Sequence, residues 1–240
     1  MHRMPLVKNP IKAVLFDHDG VLVNSEPLHS EAWAQLLASL NIHYKDSDIH
    51  AQVGKPAPII LKNLLDVYRP AWTPAQFPLN ELALKKNDIY LEIMRTRLAP
   101  YPGVREGLRW LQEKKIRMAV VSNARSRELQ RSLEILSLKS FFDVILSRDD
   151  VPSPKPDPIA YLTGAALCEA RPEECVSVED SPTGIEAALL ARTQAVAVLT
   201  GFPEEIMGAC VSGRSDLKPV KIVPDMIAFF QWLQTEISQR

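Results

Sequence analysis

Cysteine is scarce in this chain of 240 residues, with only Cys168, Cys175 and Cys210 present. No pair has CxxC spacing and none has a neighbouring histidine. A fully paired disulfide framework is therefore excluded, and a structural zinc site is disfavoured. Cys175 opens an apolar run and reads as a small core residue. An excess of charge is also missing: 28 basic and 29 acidic residues leave a formal net charge of -1. That balance provides no long-range field to attract nucleic acid or an anionic membrane. The pairs Lys85-Lys86 and Lys114-Lys115 are too short for a basic patch and read as solvated helix faces. No apolar run approaches the roughly 18 residues a membrane-spanning helix requires. The first ten residues hold two prolines and no apolar h-region, unlike a secretory signal. Internal repeats and low-complexity tracts are absent as well. The expectation is a soluble, cytoplasmic protein without nucleic-acid or membrane partners. Its oligomeric state is open, with a monomer favoured.

What is present suits a globular core, since 46% of residues are hydrophobic and 24% charged. Five short apolar runs recur at 11–16, 118–121, 142–146, 175–178 and 195–199, each ending in polar residues. Continuous apolar strands without alternation are usually buried on both faces, as in a parallel sheet covered by helices. Helical patterns separate the later runs at 103–115, 126–138 and 159–167. Thr183 and Glu186 have capping-box spacing ahead of the apolar stretch 187–191. A last helix is predicted over 225–239, with Met226, Phe229, Phe230, Leu233 and Ile237 on one face. Trp33, Trp110 and Trp232 fall in helical apolar patterns and read as core. Alternating strands and helices predict a doubly wound α/β fold with a Rossmann-like core.

One block breaks the alternation. Residues 27–98 hold only helical candidates, at 28–40, 59–68 and 79–98, which is too much chain for a simple crossover. The predicted organisation is a core of 11–26 and 99–240, with an inserted helical cap domain over 27–98. The polar segment 201–219 receives no assignment.

In an open parallel sheet, ligands bind beyond the carboxyl ends of the strands. Asp17-His18-Asp19-Gly20 follows the first run, Ser122-Asn123 the second, and Glu179-Asp180-Ser181 the fourth. Lys155 lies between two prolines in the loop after the third. Two or three carboxylates can hold magnesium, a hard cation that prefers oxygen ligands. With phosphate charge neutralised, an aspartate can attack phosphorus and form an acyl phosphate. Ser122 and Asn123 can donate to phosphoryl oxygens, and Lys155 can set a positive charge against them. Asp17 and Asp19, two apart in extended chain, project to one side, and Gly20 permits a sharp turn. Asp17 could then attack while Asp19 protonates the leaving oxygen and later deprotonates water. His18, between them, is expected to point away and carries no assigned chemistry.

These residues resemble the four motifs of the haloacid dehalogenase superfamily. Asp17-His18-Asp19-Gly20-Val21-Leu22 is similar to its first motif and Ser122-Asn123 to its second. Lys155-Pro156-Asp157-Pro158 resembles the third, and 178–184, from Val178 to Gly184, the fourth. The resemblance covers the chain from residue 11 onward and is closest to the beta-phosphoglucomutase-like branch, through Ser25-Glu26-Pro27-Leu28-His29. It implies a cap inserted after the first motif, with Asp17 as nucleophile and Asp19 as acid/base. It also implies magnesium held by Asp17, the main-chain carbonyl of Asp19, and Asp180. Glu179 is a further ligand or a support behind them. Gly20 is expected at the substrate, and the cap residues Gly54 and Lys55 form a loop that faces the substrate or a plain turn. His29 either helps close the site or is a helix-face histidine.

The second aspartate points to phosphatases and phosphomutases, since dehalogenases of the superfamily lack it. The first expectation is a magnesium-dependent phosphatase of a small phosphorylated metabolite, such as a sugar phosphate. A phosphomutase using the same core residues is the alternative, and a non-catalytic binding protein on the same scaffold a third. Plainer readings exist for every residue: Asp17 and Asp19 as loop caps, Lys155 as an exposed loop lysine, Ser122-Asn123 as turn residues. The agreement of four strand ends on one chemistry decides against them.

Overall fold

The computed structural model describes residues 9–50, 52, 55–208 and 219–238. Strand β1 (Ala13–Phe16) is four apolar residues, all buried. The chain then enters four helices: α1 (Glu26–Ser39), α2 (Asp46–His50), α3 (Ala57–Tyr68) and α4 (Leu79–Arg97). It returns beside its own exit, where the Asn24 N–H donates to Ala99 O at 3.3 Å and Val23 bridges Pro100. From there α5 (Val104–Glu113), β2 (Arg117–Val121), α6 (Ser126–Ile135) and β3 (Val144–Leu146) follow. The remainder is α7 (Ile159–Leu167), β4 (Cys175–Glu179), α8 (Pro182–Leu190), β5 (Gln194–Val198), α9 (Glu204–Gly208), β6 (Lys221–Val223) and α10 (Met226–Ser238).

All six strands are parallel, in the order β3-β2-β1-β4-β5-β6. This is a doubly wound α/β sheet with its central strands β1 and β4 fully buried: β1 is apolar on both faces, whereas β4 carries Ser177 and Glu179 among apolar residues. Phe16 at the end of β1 meets Phe142 and Phe229 edge-on, each with centroids 6.1 Å apart. A Cβ at Gly107 of α5 would lie 2.3 Å from the Phe230 ring, so the bare glycine lets α10 settle against α5.

The chain divides into two compact units, Met1–Asn24 with Ala99–Arg240, and Ser25–Leu98. The division falls two residues ahead of the boundary expected at 26/27. The smaller unit has its own apolar core, from Trp33, Leu36 and Leu37 of α1, Leu61, Leu64 and Leu65 of α3, and Leu82 of α4. The i, i+3, i+4 spacing in α1 and α3 places each set on one helix face.

Several readings of the sequence need correction. Strand β6 was not anticipated, because it has three residues and only Val223 is buried. Helix α2, of five residues, and α9, inside the unassigned 201–219, are too short to show a period. The N-cap of α8 is Ser181, whose Oγ accepts from the Gly184 N–H at 3.1 Å, and Thr183 lies inside the helix. Lys86 is not solvated: it is 5% exposed, with its ammonium over the rings of Trp33 and Tyr90. Of the tryptophans, Trp33 is buried, whereas Trp110 and Trp232 are half-buried.

Candidate active site

Strand order reverses between β1 and β4, so the loops leaving these two strands diverge and open a crevice at their carboxyl ends. Phe16 is in register with Val178, and the Asp17 N–H donates to Val178 O at 3.1 Å. That register sets Asp17 level with Glu179 and Asp180. The carboxylates of Asp17, Glu179 and Asp180 each offer an oxygen within 4.8 Å of the others.

One ammonium sits among them. Lys155 Nζ donates to Asp17 Oδ1 at 2.6 Å, to Glu179 Oε1 at 2.5 Å and to Val121 O at 2.7 Å. It is 5% exposed. Burial works against its charge, but the carboxylates of Asp17 and Glu179 outweigh this and raise its pKa. The lysine thus stays cationic in the interior. Its loop is clamped by Asn123, whose Oδ1 accepts from the Lys155 N–H at 3.0 Å and whose Nδ2 donates to Lys155 O at 3.3 Å. The amide expected to meet a phosphate is therefore engaged with the lysine main chain. Ser122 is buried, and its Oγ accepts from the Ala124 N–H at 3.0 Å, which leaves the hydroxyl proton for an acceptor.

Negative charge exceeds positive here. Burial, then Glu179 and finally Asp19, pushes Asp17 up from 3.8 to about 7, against the opposing pull of Lys155. Asp180 is held well above the usual carboxylate range, first by burial and then by Asp17, Glu179 and Asp19. Crowded oxygens of one sign with a single lysine suit a hard divalent cation. Space is kept for Asp180 by glycines: a Cβ at Gly20 would lie 1.8 Å from Asp180 Oδ2, and one at Gly201 2.3 Å. Gly20 also has φ +79°, a left-handed conformation that disfavours side chains, and its carbonyl accepts from the Thr200 hydroxyl.

Glu179 is 1% exposed and has both oxygens engaged. Oε1 accepts from Lys155 and from the Tyr161 hydroxyl at 2.6 Å, while Oε2 accepts from Ser181 Oγ at 3.2 Å. Tyr161, fully buried on α7, was missed in the sequence. Its signal was a phenol inside an apolar helix, since a buried hydroxyl needs an acceptor. Asp19 stands outside the carboxylate group, with its side chain 38% exposed. His18 does not point away from both aspartates, because its Nδ1 lies 3.3 Å from Asp19 Oδ2.

The remaining expected residues belong to the Ser25–Leu98 unit. His29 is half-buried, stacked on Tyr90 at 3.8 Å between centroids and 9° between planes, with Nδ1 2.7 Å from Lys86 Nζ. An ammonium only donates, so Nδ1 accepts and the ring proton sits on Nε2. Lys55 is exposed, and its N–H donates to Gln52 O at 3.0 Å. Gly54 lies outside the described residues.

The family model of haloacid dehalogenase-like hydrolases matches residues 14–198. A phosphorylated carbohydrates phosphatase of Thermotoga maritima is 33% identical over 179 residues, which covers 74% of this chain and 80% of the relative. Hexitol phosphatase B of Escherichia coli (strain K12) is 31% identical over 193 residues, covering 78% and 83%. Among solved structures, a provisionally assigned beta-phosphoglucomutase from Thermotoga maritima superposes with a TM-score of 0.77 at 27% identity, covering 94% of this chain and 99% of that one.

Proposed function

Since the chain belongs to the haloacid dehalogenase-like hydrolase family and is a phosphoric monoester hydrolase by its phosphatase relatives, we propose that it is a magnesium-dependent phosphatase of a small phosphorylated metabolite, with Asp17 as nucleophile. The observation that carries this reading is the state of Asp17. Its Oδ1 is tied to Lys155, so the other oxygen remains for attack in a crevice shared with Asp180. Sugar phosphates are the favoured substrate class, because relatives of that description are about a third identical to this chain.

Asp17 and Asp180, with the Asp19 main-chain carbonyl, would hold magnesium. When bound, the cation neutralises the phosphate dianion and so removes its repulsion of the attacking carboxylate. Asp17 then forms a bond to phosphorus as the bond to the leaving oxygen breaks, and Asp19 gives that oxygen its proton. In the second half, Asp19 takes a proton from water, whose oxygen displaces Asp17 and yields inorganic phosphate. Lys155 and the Ser122 hydroxyl offset charge on the phosphoryl oxygens. Glu179, with its oxygens taken by protein donors, acts as the support of Lys155 rather than a ligand. Gly20 leaves its backbone close to the substrate. Lys55 and His29, with Gly54, are assigned to substrate choice by the smaller unit.

A panel of phosphorylated sugars, nucleotides and small acids tests this through phosphate release with magnesium and with chelator. Release from a few members, lost on chelation and in Asp17→Asn, is the expected result. Release undiminished in Asp17→Asn would remove the nucleophile. The similarity to a provisionally assigned beta-phosphoglucomutase favours a phosphomutase as the second reading. Sugar-phosphate isomerisation without phosphate release would select it.

A further inference from the structure

The main chain of His18 is anchored, because its carbonyl accepts from the N–H groups of Leu22 at 2.9 Å and Val23 at 3.1 Å. Its ring is 2% exposed, and Nε2 lies 2.7 Å from the Oγ of Ser132, a residue of α6 that is itself 1% exposed. The other nitrogen, Nδ1, is 3.3 Å from Asp19 Oδ2 and makes no hydrogen bond in that geometry. A lone pair on Nδ1 would face a carboxylate. The proton therefore belongs on Nδ1, and Nε2 accepts from the Ser132 hydroxyl. With main chain and Nε2 both held, the ring is a fixed donor beside the half-exposed Asp19 carboxylate.

We propose that His18, fixed by Ser132, is a positioning residue that orients Asp19 for proton transfer to the leaving group. This rests on the assignment of Asp19 as acid/base. A donor locked in place beside a carboxylate favours the rotamer that faces it. Ser132 settles which ring nitrogen carries the proton. The sequence could not reveal this, since Ser132 lies 114 positions from His18.

The test is leaving-group dependence, measured with the full chain and magnesium. An alkyl phosphate such as glycerol phosphate needs a proton on its departing oxygen, whereas 4-nitrophenyl phosphate barely does. The ratio kcat/KM reports steps through leaving-group departure. His18→Leu is expected to lose about tenfold on the alkyl ester, as for a displaced acid, while the aryl ester changes by less than about twofold. His18→Asn, which restores an N–H donor, should recover most of the loss. Ser132→Ala should shift the same ratio without touching the loop, and it carries the test if His18→Leu does not fold. Equal losses on both esters, no loss on either, or an Asn variant no better than Leu would overturn the proposal. Asp19→Asn separates the two levels. It should discriminate between the esters even if His18 does not, and if it fails to discriminate, the acid assignment falls and takes this inference with it.

Discussion

Gly184→Ala sets helix propensity against tertiary structure, with opposite signs. The glycine occupies the first turn of α8, where alanine would ordinarily be favoured by about 1 kcal/mol. A Cβ there would lie 1.9 Å from Glu179 Cδ and 2.0 and 2.1 Å from its two oxygens. Real contacts stop near 3.0 Å, so Glu179 must retreat by about an ångström or the helix must lift. Glu179 is 1% exposed and accepts from Lys155, Tyr161 and Ser181. Breaking a buried charge pair of this kind costs about 3–5 kcal/mol. Against the helical gain, the net destabilisation is about 2–4 kcal/mol. At roughly 2–4 °C per kcal/mol for a chain of this size, the expected fall in Tm is about 5–15 °C. Phosphate release should fall with it, because Lys155 loses its shortest contact. Thermal melts and kcat on the same preparation provide the check. A variant as stable as the parent with unchanged turnover would refute the placement of Glu179 beneath α8.

Two further outcomes concern pH. Asp17 in the folded chain keeps its proton up to about 7, whereas the unfolded chain releases it near 3.8. The folded state thus binds more protons, and without metal its stability falls as pH rises across that window. Magnesium should add a stabilisation that grows over the same range. Melts in magnesium and in chelator should diverge from pH 4 to 7 and converge in Asp180→Asn; curves that stay parallel would count against a cation at this carboxylate group. Glu174 has the opposite sign. Its hydrogen bonds from the Arg171 side chain and main chain, and then Lys12, bring it from 4.5 down to about 2. Its contribution is complete above pH 4.5 and lost as pH falls toward 2. The Tm gap between the parent and Glu174→Gln should therefore be wider at pH 6 than at pH 3, and an equal gap at both would remove the charge pairing.

Local pattern was enough for the frame. β1, β2, β4 and β5 show as apolar runs because a strand buried on both faces needs no partner to reveal it. Helices α1, α3 and α4 show by their spacing, and the strand-end motifs by their place after each run. The resemblance to a known family implies the chemistry expected of Asp17, Asp19, Lys155 and Asp180. Short elements such as α2, α9 and β6 escaped, since three to five residues cannot display a period.

Tertiary structure alone decided which partners these side chains find. Lys155 meets Asp17 across 138 positions, Tyr161 reaches Glu179 across 18, and His18 meets Ser132 across 114. Asn123 was legible as a polar residue after β2, but its attachment to the Lys155 main chain was not. Lys86 reads as a surface lysine by composition and is buried among Trp33, Tyr90 and His29 by packing. The spaces beside Gly20 and Gly184 exist only because separate loops bring carboxylates against them. Periodicity and motif report what a residue must do along its own segment. Burial, charge balance and the direction of a hydrogen bond depend on segments far apart in the chain, and the sheet order brings those together.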